Sequence, residues 1–270
     1  RLTVSLDADH NGAAEASAST PVFGWSRRDF ATGQQTFSMP LMRDEVFAGT
    51  IASVAGSVLE FDVGEDSIQA QFVSGVPYYA EVVSGSLAGH RFEIDEAQTT
   101  ANSIVMAAGE ALNTIDQLHA SLAGARIVVR PHWTVGSLFG IHTLHAGSAT
   151  GSADRLMFLE NGTFKVMWLR ADAGSTQWTW NDDATLADTS GRIVSPAEGV
   201  LVHVRGAAVT LPVVGQDRGT AFALPLKAGA QVMGSGSPVA QSRADGTLTG
   251  AACPAGTYAA SADRIRLWLG

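Results

Sequence analysis

The chain has 270 residues, enough for one large β domain or two smaller ones, with a well-buried core in either case. Apolar residues make up 46% and charged residues 16%, below the roughly 25% charge of ordinary soluble domains, and the 29 glycines with frequent Ser, Thr and Val favour turns and strands over helix surfaces. A net charge of −9, only two lysines (Lys165 and Lys227) and no basic cluster beyond Arg27-Arg28 argue against a nucleic-acid partner.

No apolar run approaches the roughly 18 residues of a membrane helix, so no membrane span is expected. Cys253 is the single cysteine, which rules out an intrachain disulfide and a Cys-based zinc site. The sequence starts at Arg1 without a Met, as a processed or trimmed N-terminus would.

Leu2, Val4 and Leu6 alternate with Thr3 and Ser5, the two-residue period of a half-buried strand. Residues 8–20 are small and polar, the composition of a tether that would reach roughly 40 Å if extended. Within this stretch Asp7, Asp9, Asn11 and Gly12 follow the first half of an oxygen-rich calcium loop, in which alternate side chains converge on the ion. The position that should supply a bidentate Glu is Ala18, so an acidic turn ending the strand is the competing reading. No other cofactor is expected.

Strands are predicted at 35–41, 46–54, 57–63, 68–73, 78–84 and 91–95, separated by Gly-containing turns. The 78–84 stretch is apolar on most of both faces and reads as an interior strand. Leu112, Ile115, Leu118 and Leu122 repeat at helical spacing, predicting one short helix near 109–122. "ARIVVRPHW" (125–133) reads as a strand stopped by Pro131, with a boundary just after it. In "RLMFLENGTFKVMWLR" (155–170), Asn161-Gly162 has the residues of a type I′ turn between two apolar runs, hence a hairpin. Later strands are predicted near 176–180, 199–205, 207–213, 220–226, 230–233, 256–260 and 264–269.

Two short echoes accompany them: "ADRLMFL" (153–159) with "ADRIRLWL" (262–269), and "TFSMPL" (36–41) with "TAFALPL" (220–226). The expected fold is all-β: two β-sandwich or barrel-like sub-domains, one short helix and an N-terminal extension strand. The corresponding division is residues 1–20 as strand and tether, 21–131 as the first sub-domain and 132–270 as the second.

Chemistry-bearing residues are sparse. His132, His142 and His145 are a conceivable metal group, although "HTLH" spaces two of them three apart with no further ligand evident, so structural or surface histidines are the simpler reading. Glu60-Asp62, Glu93-Asp95-Glu96 and Asp182-Asp183 supply carboxylates that a glycosidase would need, but they fall at strand ends and turns where acidic residues are ordinary. There is no Gly-x-Ser-x-Gly elbow and no phosphate loop, so no catalytic residue is assigned and the protein is not expected to be an enzyme. Trp178 and Trp180 in "QWTWNDD" share one strand face and form either a stacking platform for sugar rings or part of a core or interface. Asn161 also lies in a glycosylation sequon.

At "STPVFGW", "FSMPLMRDEVFAGTIASV", "YYAEVVSGSLAGHRFEI" and "VRPHWTVGSLFG" the chain resembles an uncharacterised family of predicted-exported, β-rich proteins found in many copies in Verrucomicrobia-type bacteria. The family's T-x-P-V-G-F start, R-P-H-W-T-x-G-x-L-F centre and A-D-x-[ILV] strands correspond to Thr20–Trp25, Arg130–Phe139, and Ala153-Asp154 with Ala262-Asp263. The resemblance covers residues 19–270 and implies secretion, but no catalytic residue. "TPVFGW" lacks the Asp that the family has between Thr and Pro and carries an extra aromatic, and residues 1–18 precede the usual family start.

Two functions are therefore expected. In the first, the protein is a structural subunit of an extracellular or cell-surface filament or sheet, a homopolymer joined by strand donation with Leu2, Val4 and Leu6 as anchors. In the second, it is a secreted monomeric glycan-binding β-module whose platform is Trp178 and Trp180.

Overall fold

A computed structural model describes residues 2–6, 16–20, 23–63, 67–107, 122–171, 178–218 and 229–234. Strands dominate, the sheets curl into a half-barrel, and helix among the described residues is confined to short segments. The all-β expectation holds.

Leu2–Leu6 (β1) and Ala16–Thr20 (β2) form an antiparallel two-stranded ladder with Leu2 opposite Thr20 and Leu6 opposite Ala16. Residues 16–20, expected as tether, are thus strand. Ladder bonds are made by the backbone, so a run of Ala, Ser and Thr does not prevent pairing. Next come Phe23–Phe30 (β3) and Gly33–Ser38 (β4). The chain then builds a six-stranded antiparallel sheet from Phe47–Ala55 (β5), Val58–Phe61 (β6), Tyr78–Val82 (β7), Arg91–Glu93 (β8), Ser103–Val105 (β9) and Arg126–Pro131 (β10), in the order β8-β7-β10-β5-β6-β9. Ile51, Leu59, Tyr78, Val82, Ile104, Ile127 and Val129 fill its core.

The expected interior strand is β7: all five of its residues are buried, including Glu81 on the face opposite the core residues Tyr78, Ala80 and Val82. The predicted strand 68–73 is instead a 3-10 turn over Gln69–Gln71, with Ile68 buried and Val73 exposed. The Tyr78 hydroxyl accepts the Val73 N–H at 2.8 Å and holds this turn shut. The helix predicted at 109–122 lies outside the described residues except for Leu122, which is buried in this core.

The second half contributes Trp133–Thr134 (β11), the five-residue helix Val135–Phe139 (α1), Arg155–Glu160 (β12), Thr163–Arg170 (β13), Thr179–Asp182 (β14), Ile193–Val194 (β15), Gly199–Val204 (β16) and Val209–Gln216 (β17). Its main sheet runs β14-β13-β12-β16-β4, while β17 pairs with β3 and β11 with β15. Both β3 and β4 therefore belong to this half, and Phe30, Phe37, Met39 and Leu41 sit in one core with Phe139, Leu156, Phe158, Leu169, Trp180, Val202 and Leu211.

The first sub-domain is accordingly not 21–131. Residues 46–131 are inserted between β4 and β11, because β4 serves as the edge partner of β16 and carries the preceding segment with it. Gly215 fits the chain crossing that results: a Cβ there would collide with the Met42 carbonyl, whose oxygen accepts the Gln216 N–H at 2.7 Å.

The hairpin turn is realised as read, and the helix α1, which the sequence reading did not predict, has a local cause. Asn161 and Gly162 both have positive φ (49° and 78°) and close the β12–β13 hairpin. Gly162→Ala meets no atom within 4 Å and acts only through backbone strain, so it should cost about 1 kcal/mol, seen as a lower urea midpoint at unchanged slope. In "TVGSLF" the Thr134 hydroxyl accepts the Ser137 N–H at 3.2 Å while the Ser137 hydroxyl accepts the Thr134 N–H at 2.8 Å. This reciprocal cap starts α1 and drives Val135, Leu138 and Phe139 into the core.

Candidate functional site

The R-P-H-W segment lies where the inserted sheet meets the rest of the protein. Pro131 ends β10, and the residues around it are anchored on both sides. Arg130, 5% exposed, donates from Nη1 to the Arg43 carbonyl at 2.8 Å and to Gln216 Oε1, and from Nη2 to Glu45 Oε2 at 3.3 Å. His132 is 1% exposed, with Nε2 at 2.6 Å from Glu93 Oε2 and its ring centroid 4.6 Å from that of Tyr79, the two planes tilted by 43°. Trp133 donates from Nε1 to the Leu41 carbonyl at 2.9 Å, and the Arg43 guanidinium lies over its ring. Burial, with the Glu81 charge adding to it, pushes the Tyr79 hydroxyl up to about 12. Glu81 itself pairs with Arg218 at 3.6 Å.

Beside this junction opens a groove of about 760 Å³. One wall is the β7–β8 edge with Tyr79, Arg91 and Glu93; the other is the β12–β13 turn with Glu160 and Asn161 and the 192–199 loop, and residues 229–233 border it. Arg192 organises the second wall. Its Nη2 reaches Glu160 Oε1 at 2.8 Å and Glu198 Oε1 at 2.6 Å, and its guanidinium lies 3.6 Å over the Phe158 ring. These carboxylates hold Arg192 above the ordinary arginine range despite the burial that opposes its charge. Arg91 is the opposite case: burial, then the neighbouring Arg218 charge, pushes it below that range.

Of these groove residues the sequence marks Glu93, as one of a group of carboxylates, and Asn161, as a turn and sequon residue, each for a different reason. Arg192 and Glu160 are 32 residues apart and meet only through strand pairing.

The residues singled out in the sequence are spread over the molecule. Leu2, Val4 and Leu6 occupy same-parity positions of β1, opposite Thr20, Ala18 and Ala16. Asp7, Asp9 and Asn11 lie outside the described residues, as do Ala262-Asp263 and the 220–226 echo. Trp180 corrects the platform reading: it is fully buried against Phe139, and its Nε1 donates to the Gly140 carbonyl at 2.8 Å, so its faces are closed to a sugar. Trp178 is half-buried with His142 edge-on to it at 5.5 Å.

The three histidines do not converge. His132 binds Glu93, His142 meets Trp178, and His145 Nδ1 lies 2.8 Å from Asp154 Oδ2. Asp154, with no exposed surface, also accepts the Arg205 N–H at 2.7 Å and so ties two loops together. Glu60 accepts from Ser53, Asp95 from Gln98, and Asp182 from Thr185 and the Ala184 N–H. Among the described residues no three or more His, Cys, Asp or Glu side chains gather as a metal site.

One surface feature escapes the alternation argument. On the outer face of the β3–β17 ladder Phe23, Trp25 and Val214 are 54%, 65% and 61% exposed, with Val214 directly opposite Trp25. Comparison with known proteins finds no matching family model, no matching curated protein and no matching solved structure.

Proposed function

We propose that the protein is a structural subunit of an extracellular or cell-surface assembly, a filament or sheet of its own copies, joined through the N-terminal strands. The observation that carries this reading is the β1–β2 ladder: among the described strands it pairs with no other, and forms a two-stranded sheet by itself. An isolated hairpin is marginal in water and gains stability by adding to a third strand. Main-chain bonds from the margin of β1 that no other described strand covers to an open sheet edge of another copy would supply affinity, and Leu2, Val4 and Leu6 the register.

The ledge of Phe23, Trp25 and Val214 lies on the strand pair whose first member, β3, begins three residues after the end of β2, and it adds apolar area to such a contact. A head-to-tail contact of this kind extends without closing unless its rotation permits a ring. The resemblance to exported proteins supports the location.

The test compares the full chain with a version lacking residues 1–20, by light scattering and negative-stain microscopy. The full chain should form extended polymers, and the truncated one should remain a monomer with unchanged circular dichroism. Polymers of equal length after truncation, or a full chain that stays monomeric at high concentration, would refute the proposal.

A further inference from the structure

We propose that the groove between the β7–β8 edge and the β12–β13 turn binds an acidic saccharide, with Arg91 as the anchor for its carboxylate. The site is independent of the N-terminal strands.

Arg91 carries the argument. Its Nε is buried without a hydrogen-bond partner, and its guanidinium, which lines the groove, makes no hydrogen bond to any described residue. Its guanidinium carbon lies 5.8 Å from the centroid of the Tyr79 ring. The neighbouring cations are otherwise occupied: Arg130 reaches Glu45, Arg218 reaches Glu81, and Arg192 is held by two carboxylates. A planar fork of donors left without an acceptor in a half-buried site is the geometry that a carboxylate satisfies with two parallel bonds. Burial and the neighbouring Arg218 charge disfavour the Arg91 cation, and a bound anion would offset both by stabilising the charged form.

The rest of the groove asks for hydroxyls. Glu93 uses Oε2 for His132, and Glu160 uses Oε1 for Arg192; the second oxygen of each has no protein partner among the described residues. Because each of these carboxylates already has a cationic or imidazole neighbour, a neutral O–H suffices as donor, and charge-assisted bonds of this kind are strong. Asn161, at the lip, offers a further donor and acceptor. One carboxylate among several hydroxyls is the chemistry of a uronic acid within a glycan. A volume of about 760 Å³ accommodates more than a single small acid, since ligand sites run to roughly 300–1,000 Å³. The chain's net charge of −9 repels anions at long range, so the contact is short-range and of modest affinity.

The test titrates the full chain by calorimetry with tri-galacturonate, a neutral galactose trisaccharide, glutarate and tri-glutamate. Tri-galacturonate should bind, and the neutral sugar should bind at least tenfold more weakly, a comparison that needs no variant. Arg91→Gln, which keeps the bulk and removes the charge, should weaken tri-galacturonate by about 10–100-fold. Arg91→Lys should recover only part of that loss, because an ammonium lacks the fork. Absence of tri-galacturonate binding, equal binding by wild type and Arg91→Gln, or equal affinity for the neutral sugar would each overturn the site. Binding of glutarate or tri-glutamate as tight as that of tri-galacturonate would overturn the saccharide class.

Discussion

Arg130→Ala should destabilise the protein by about 3 kcal/mol and separate its unfolding into two transitions. The magnitude follows from what the guanidinium leaves behind. Gln216 is 2% exposed, so its Oε1 loses its donor inside the protein, and so does the Arg43 carbonyl. An orphaned buried acceptor costs roughly 1–3 kcal/mol. Glu45 adds less, because its side chain is 35% exposed and water takes over its charge. The change in cooperativity follows from position: Arg130 stands at the end of the inserted sheet and bonds to β17 and to the 43–45 segment of the other body. Arg130→Lys keeps the charge but cannot reach three acceptors with one fixed fork, so it should lie between the two. Urea melts followed by tryptophan fluorescence and circular dichroism would show the split as non-coincident curves. A single coincident transition, shifted by less than 1 kcal/mol, would mean that the junction is held by other contacts.

Local rules carried the elements whose causes lie within a few residues. Asn161-Gly162 announces its own turn because positive φ is needed at both positions, and the residues of β7 show burial on both faces without reference to any partner. The cap of α1 is also local, but five residues are too few for a helical period to emerge. What remained hidden is long-range. Nothing in "GQQTFS" says that it will pair with "GVLVHV" more than 160 residues later, and that single pairing moves β3 and β4 across the expected boundary. The groove is hidden for the same reason: Arg91, Glu160 and Arg192 are ordinary strand-end and turn residues until three separate elements bring them together. Arg130 illustrates the point within one motif. Its neighbours read correctly as a strand ended by Pro131, yet its burial depends on Glu45 and Gln216, each about 85 residues away.

The two tryptophans of "QWTWNDD" should separate sharply when truncated. Trp180→Ala should cost about 3–5 kcal/mol, because the ring has no exposed surface and its removal opens a cavity among Phe139 and the β13–β14 residues that cannot collapse fully. The Gly140 carbonyl would also lose the indole N–H, just where that glycine caps α1 with φ of 61°. Trp178→Ala should cost no more than about 1–2 kcal/mol, since its ring is only half-buried and packs against the side of the core. A sugar-stacking pair would give the opposite pattern, with little loss of stability from either change and loss of glycan binding from both. Guanidinium melts of the two variants distinguish these cases directly. A Trp180→Ala protein as stable as wild type would require the β14 strand to lie the other way up, with Thr179 and Trp180 exchanging faces, which a one-residue slip in its pairing with β13 would accomplish.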